Sequence, residues 1–148
     1  MNQLNNKKKA FTLFELLLSM SLIAIVFVMS VPLYQNFLYR SEIDDAVNIY
    51  YKSLKMAQSY SEDGLFDTSW GVAFSNSEII VFAGSNFSGR NSLLDKSWNI
   101  GGRFTVTGVT EVVFNKFHGT PNTTGNINIT NNNITKTISV NAKGQITF

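Results

Sequence analysis

The sequence of 148 residues predicts an α+β fold in which one long N-terminal helix precedes an antiparallel β domain. Three features lead to this prediction. A long apolar run follows a cluster of lysines, a helical apolar pattern continues beyond that run, and from Trp70 onward the apolar period becomes two. The change of period divides the chain into a helical part and a β-rich part.

The first element is an apolar segment that follows Lys7–Lys9 and contains one charged residue, Glu15, before Arg40. Its core, Leu16–Leu33, approaches the length of about 20 residues that a membrane-crossing helix needs. Basic residues beside such a span mark its cytoplasmic end. We therefore expect a single-pass protein of the cytoplasmic (inner) membrane. Its N-terminus would lie in the cytoplasm and its C-terminal domain outside, in the periplasm or at the cell surface.

Two simpler interpretations of this segment are a secretory signal and a plain anchor. The run is longer than the apolar core of about 7–15 residues in a secretory signal. A plain anchor leaves Glu15 without a role, although a carboxylate in a membrane helix costs about 2.5–3.5 kcal/mol at the centre and usually has a cationic partner. Cleavage between Ala10 and Phe11 would create such a cation, because the new α-amino group would lie about one helical turn before Glu15.

The stretch "KKKAFTLFELLLSMSLIAIVF" resembles the class III leader and N-terminal helix of type IV pilins and type II secretion pseudopilins. The resemblance implies a leader that ends at Ala10, where the family usually has Gly, and a mature chain that begins at Phe11. It also implies N-methylation of Phe11, assembly through pairing of Glu15 with the Phe11 amine of an adjacent subunit, and a helix kink at Pro32. The fold that it implies is the pilin fold.

A second apolar pattern continues the helix beyond Arg40. Its stripe recurs at 4-3-4-3 spacing and comprises Ile43, Val47, Tyr50, Leu54 and Ala57. Gly64 is a natural helix stop. We expect the stripe to pack on the chain's own sheet, with packing between subunits as the alternative. The predicted organisation is a leader at 1–10, a transmembrane and assembly helix at 11–39, its soluble half at 40–63 and an antiparallel β domain at 64–148.

Seven strands are predicted in the β domain from alternating or short continuous apolar runs. They are Trp70–Phe74, Glu78–Ala83, Arg103–Val109, Glu111–Phe114, Asn126–Thr130, Ile134–Val140 and Gln145–Phe148. Two of them, with the continuous runs "IIVF" and "VVF", are expected to be covered on both faces. Gly84–Gly102 is expected to be a long connection. The segment "VVFNKFHGTPNTTGNINIT" resembles the H-type minor pseudopilins, as does the closing "VNAKGQITF".

Composition gives no support for catalysis. The chain has no cysteine and a single histidine, His118, which we expect in an exposed turn. No phosphate-binding loop, dinucleotide-binding glycine motif or nucleophile elbow occurs. We expect no enzyme activity and no cofactor.

The net charge of the mature chain gives no support for a nucleic-acid partner. Removal of the three leader lysines leaves nine Lys and Arg against ten Asp and Glu, so the basic pI does not indicate such a partner.

The resemblance to type IV pilins and to the H-type minor pseudopilins implies a minor structural subunit of a type II secretion pseudopilus or a type IV pilus. Its expected partners are a prepilin peptidase, other pilin or pseudopilin subunits, the inner-membrane assembly platform and the lipid bilayer. One alternative is a DNA-binding, competence-type minor pilin, which needs clustered cations on exposed loops. The other is a membrane-anchored β domain with no role in a filament.

Overall fold

The structure is a computed structural model that describes residues 11–131 and 134–148. It contains one α-helix, α1 (Leu13–Glu62), a 3₁₀ turn at Leu65–Asp67, and eight strands in the described part of the chain. The strands are β1 (Trp70–Ser75), β2 (Glu78–Ala83), β3 (Asn91–Asn99), β4 (Phe104–Gly108), β5 (Glu111–Phe114), β6 (Gly125–Asn131), β7 (Ile134–Val140) and β8 (Ile146–Thr147). The chain forms two compact units, of which the first ends at Leu38 and the second is Tyr39–Phe148.

The strands form two antiparallel sheets of four strands each. The first sheet has the order β3-β2-β1-β5 and the second has the order β4-β6-β7-β8. Asn76 and Ser77 close the β1–β2 hairpin, and both have positive φ, as a two-residue turn with the right-handed strand twist requires. Each sheet therefore combines tight hairpin pairs with one strand recruited from elsewhere in the sequence.

The core of the second unit lies between the C-terminal half of α1 and the sheets. All five stripe residues, from Ile43 to Ala57, are buried, and Ala46 joins them. They share one cluster with alternate residues of β1, β2, β5, β6 and β7, among them Trp70, Phe114 and Ile129. The predicted packing of the stripe on the chain's own sheets is therefore confirmed, as is the α+β arrangement of the pilin type, an N-terminal helix packed on antiparallel sheets.

The first sheet is apolar on both faces, as its continuous runs predict. On the face that points away from the main core, Ala73, Ile80, Phe82 and Val113 form a second buried cluster. Phe87, from the connection between β2 and β3, packs on this cluster with its ring 5.5 Å from that of Phe82. A short loop thus covers part of the apolar surface on this face of the sheet.

The prediction that Gly84–Gly102 is a long connection was wrong, because nine of its residues form strand β3. Its sequence does not alternate apolar and polar residues: Leu93 and Leu94 are adjacent, yet Leu93 is 92% exposed and Leu94 packs on the core. The strand forms because its backbone pairs with β2, with a register shift between Val81 and Ala83. β3 lies at the edge of its sheet, where side chains are less constrained than in a central strand.

Loop contacts complete the C-terminal end of α1. Gly64 has a left-handed conformation, and its N–H donates to the carbonyl oxygen of Ser61 at 3.1 Å. The Phe117 N–H donates to the same oxygen at 2.7 Å. The Ser61 hydroxyl in turn accepts from the Trp70 N–H at 2.9 Å, which ties the helix end to β1. These contacts join the helix to the β domain through the backbone as well as through the core.

Candidate assembly site at the helix N-terminus

Thr12 and Glu15 form a reciprocal capping box at the start of α1. The Thr12 Oγ1 accepts from the Glu15 N–H at 3.2 Å, and the Glu15 Oε2 accepts from the Thr12 N–H at 2.9 Å. The Thr12 hydroxyl also donates to the same Oε2 at 3.0 Å. This pattern satisfies backbone donors that the first turn of a helix otherwise leaves without partners. Glu15 therefore has a local role that the sequence analysis missed, although the spacing T-x-x-E is its recognised signal.

Only one oxygen of the Glu15 carboxylate takes part in this cap. Both hydrogen bonds from Thr12 end on Oε2, and within the described residues no hydrogen bond reaches Oε1. An ionised carboxylate accepts at both oxygens. The geometry therefore leaves Oε1 able to accept from a further donor while the cap remains formed.

The large apolar side chains on either side of Glu15 in the sequence are exposed throughout the first turns of the helix. Phe11 is 82% exposed, and the large apolar side chains from Leu13 to Val28 are also exposed. The hydroxyls of Ser19 and Ser21 donate to carbonyl oxygens of their own helix, at 2.9 and 2.8 Å. The surface that this helix presents between Phe11 and Val28 is thus apolar, apart from the capping residues and a few self-bonded hydroxyls.

The structure describes the other predicted site residues unevenly. Ala10 lies outside the described residues, and so the predicted cleavage junction is described only on its Phe11 side. Position 32 lies within α1, which is continuous from Leu13 to Glu62, and the side chain of Pro32 lies outside the described part. The processing, methylation, pairing and kink roles of these residues therefore stay predictions.

By length and mean hydropathy, none of the helices in 11–131 and 134–148 qualifies as a membrane span.

Five cations of the β domain have ion-pair or hydrogen-bond partners within the chain. Four of them pair with carboxylates of the same chain, at 2.7–3.5 Å. These are Arg90 with Asp95, Arg103 with Glu42, Lys116 with Asp67 and Lys136 with Asp44. Lys96 donates instead to the Tyr60 hydroxyl at 2.7 Å. A phosphate backbone would have to compete with these carboxylates and with the Tyr60 hydroxyl for the cations.

His118 is exposed in a turn, as predicted.

Comparison with known proteins identifies the N-terminal segment. Residues 5–31 match the model of the prokaryotic N-terminal methylation motif. No curated protein and no solved structure matches the chain. The matched segment contains Phe11, the capping box and most of the exposed apolar surface. The start of the chain therefore carries a prokaryotic N-terminal methylation motif, which supports a type IV pilin-like prepilin of the kind that a prepilin peptidase processes.

Proposed function

We propose that the protein is a non-enzymatic minor subunit of a type II secretion pseudopilus or a type IV pilus. The observation that carries the proposal is the match of residues 5–31 to the N-terminal methylation motif. A prepilin peptidase cuts between Ala10 and Phe11 and methylates the new N-terminus. The mature chain then joins other pilin or pseudopilin subunits at the inner-membrane assembly platform.

The surface of the first helical turns supports membrane insertion. A helix that is apolar on all sides needs lipid or other helices around it, and this description fits the exposed side chains from Phe11 to Val28. Before assembly, the bilayer covers them, with the N-terminus in the cytoplasm and the β domain outside. After assembly, the corresponding helices of neighbouring subunits cover them.

Pairing of Glu15 with the N-terminus of a neighbouring subunit fixes the register of these helices. The hydrogen bonds of the capping box occupy Oε2, which leaves Oε1 for the α-amino group of Phe11 from the adjacent subunit. An unpaired charge among apolar helices is costly, so a subunit in the wrong register is disfavoured. The H-type minor pseudopilins are the subgroup that the C-terminal segments resemble, and a position near the filament tip follows from that resemblance.

The experiment that tests this proposal is the determination of the mature N-terminus. The full-length chain is co-expressed with a prepilin peptidase and analysed by mass spectrometry, beside a standard pilin as a positive control. We expect a chain that begins with N-methylated Phe11. Ala10→Gly should be processed at least as fast, and Ala10→Leu should remain uncut because the peptidase accepts little bulk at this position. An intact wild-type chain beside a processed control would contradict the proposal.

A further inference from the structure

The second sheet presents a face of hydroxyl and amide side chains that the proposed function does not use. On β6 and β7, the residues Ile127, Ile129, Ile138 and Val140 point into the core. Side chains alternate between the faces of a strand, so the intervening residues point outward. We call these six residues the polar face: Asn126, Asn128, Thr130, Thr135, Thr137 and Ser139.

Cross-strand hydrogen bonds organise the polar face into three pairs. The Thr137 hydroxyl donates to Oδ1 of Asn128, and the Ser139 hydroxyl donates to Oδ1 of Asn126, each at 2.9 Å. The hydroxyls of Thr130 and Thr135 form the third pair, also at 2.9 Å. Each pair consists of residues directly opposite one another in the β6–β7 register. The side chains are therefore held in place before any ligand arrives.

The amide groups of Asn126 and Asn128 are oriented by these bonds. Their oxygens accept from hydroxyls of β7, whereas no hydrogen bond involves their Nδ2 atoms within the described residues. Each Nδ2 has two N–H donors. The polar face thus offers oriented amide donors beside hydroxyl oxygens that still have lone pairs, and less entropy is lost on binding when such groups are already fixed.

The flanking strands extend this surface with more hydroxyls. Thr105 and Thr107 of β4 lie opposite Thr130 and Asn128, and Thr147 of β8 lies opposite Ser139. None of these positions or those of the polar face carries a charge or an aromatic ring. The groups recur about every 6.6–6.8 Å along a strand and about every 4.8 Å between strands.

This chemistry selects among classes of ligand. A nucleic acid or an anionic lipid needs cations, and Lys136, the charged residue within β7, is on the opposite side and pairs with Asp44 of α1. A stable protein interface is built around apolar and aromatic anchors, which the polar face lacks. Repeated, uncharged donors and acceptors fit a ligand that itself repeats uncharged hydroxyls.

We propose that the polar face binds a neutral polysaccharide along strands β6 and β7. The sugar hydroxyls accept from the Nδ2 groups of Asn126 and Asn128 and donate to the hydroxyls of Thr130, Thr135, Thr137 and Ser139. Without an aromatic platform, each sugar is held weakly, and affinity comes from several sugars of one chain that bind in adjacent rows. The protein therefore binds polymers and not free monosaccharides.

The test is native affinity electrophoresis of the full chain in gels that contain dextran, galactomannan or a soluble β-glucan. The protein is kept in a zwitterionic detergent, because a detergent with a sugar headgroup would compete. The test variant is Asn126→Asp with Asn128→Asp, which keeps the oxygens that accept from β7 but removes the four N–H donors. The control is Asn86→Asp with Asn122→Asp, an equal charge change at loop residues whose Oδ1 atoms accept backbone N–H groups.

We expect at least one of the three polysaccharides to retard the wild type and the control equally. The test variant should bind about tenfold more weakly, as the loss of two hydrogen bonds to a ligand implies. Absence of retardation in all three gels would overturn the proposal, as would equal retardation of the test variant. If the test variant instead abolished self-association of the chain, the polar face would be an interface between copies, and the proposal would also fail.

Discussion

Glu15 caps the helix and, in the proposed assembly, also pairs with an α-amino group; these two tasks differ in their need for charge. The cap needs only an oxygen that accepts from the Thr12 N–H and hydroxyl, which a neutral amide also provides. Pairing with an α-amino group among apolar helices needs a negative charge, because either partner alone would be an uncompensated ion. A substitution that removes the charge and keeps the oxygen separates the two tasks.

We expect Glu15→Gln to be inserted, processed and helical but not assembled. Loss of one partner of a desolvated ion pair costs roughly 3–5 kcal/mol, enough to reduce assembly more than tenfold. The chain has no cysteine. A single substitution, Ser19→Cys, therefore reports contacts between the N-terminal helices of two subunits as disulfide-linked dimers. Glu62→Gln, at the other end of α1, is the matched control. Normal cross-linking of Glu15→Gln would rule out charge pairing as the basis of assembly.

Tyr50 is a buried polar residue for which a hydrogen bond is lacking. Its hydroxyl has no partner within the described residues, and its side chain is fully buried in the main cluster. Burial raises the pKa of Tyr50 well above its ordinary value of 10.0. The folded state therefore keeps the hydroxyl protonated at a pH at which the unfolded chain releases the proton.

Tyr50→Phe should leave the free energy of unfolding unchanged or raise it by up to about 1 kcal/mol at pH 7, because the lost hydroxyl has no hydrogen bond. Above about pH 10, the unfolded state of the wild type binds fewer protons than the folded state. Stability then falls as pH rises, by up to about 1.4 kcal/mol per pH unit from this residue.

Thermal unfolding at pH 7 and pH 11, followed by tryptophan fluorescence, tests both statements. Tyr50→Phe should reduce the loss of stability between pH 7 and pH 11. Tyr60→Phe, which removes a hydroxyl that accepts from the Lys96 ammonium group at 2.7 Å, serves as a contrasting variant. A loss of more than about 1 kcal/mol in Tyr50→Phe at pH 7 would show that the hydroxyl has a stabilising partner.

At the scale of elements, the last turns of α1 hold the loops of the β domain together. The Gln58 Nε2 donates to the carbonyl oxygens of Gly119 and Gly144 at 3.2 and 3.0 Å, and so one side chain connects two loops that are distant in sequence. A Cβ at Gly144 would lie 2.7 Å from this Nε2, so the glycine allows the close approach. The helix thus organises loops as well as the core.

Gln58→Ala should lower the free energy of unfolding by about 1–3 kcal/mol, because two carbonyl oxygens lose their donor. It should also increase amide hydrogen exchange in the loops around Gly119 and Gly144 more than in the central strands. Lys52→Ala, at an exposed position of the same helix, should change stability by less than about 0.5 kcal/mol. Equal effects of the two substitutions would show that Gln58 does not hold these loops.

At the scale of the whole molecule, the second unit has a complete core of its own. It combines the apolar stripe of α1, from Ile43 to Ala57, with the inner faces of both sheets. The second unit, Tyr39–Phe148, should therefore fold without the apolar first half of the helix. The predicted β domain at 64–148 lacks the stripe, and its sheets would expose their inner faces to water.

Expression of 39–148 should give a soluble domain with one cooperative unfolding transition, visible by circular dichroism and tryptophan fluorescence. The fragment 64–148 should not unfold cooperatively, because it lacks the six buried apolar side chains of α1. Burial of each of the larger ones contributes about 1.5–3 kcal/mol. Cooperative unfolding of 64–148 would contradict the essential role of the stripe. Aggregation of both fragments would show that the first half of the helix also supports the fold.

The sequence by itself determined the features that depend on local pattern. Periodicity predicted the stripe of α1 and seven strands to within one or two residues, because one-sided burial imposes a period of 3.6 or 2. The lysines, Phe11 and Glu15 indicated a prepilin N-terminus, because the chemistry of that site lies within a few consecutive residues. The T-x-x-E cap also has a local signal in these residues, although it was not predicted here.

Only the tertiary structure decided the features that depend on pairing between distant segments. β3 forms through backbone hydrogen bonds to β2, which leave little trace in the order of its side chains. The arrangement of eight strands in two sheets depends on pairing between segments far apart in the chain. The ion pairs of Arg103, Lys116 and Lys136 and the contacts of Gln58 also join distant residues. The polar face likewise exists because β6 and β7 pair in a register that places Asn126 and Asn128 opposite Ser139 and Thr137.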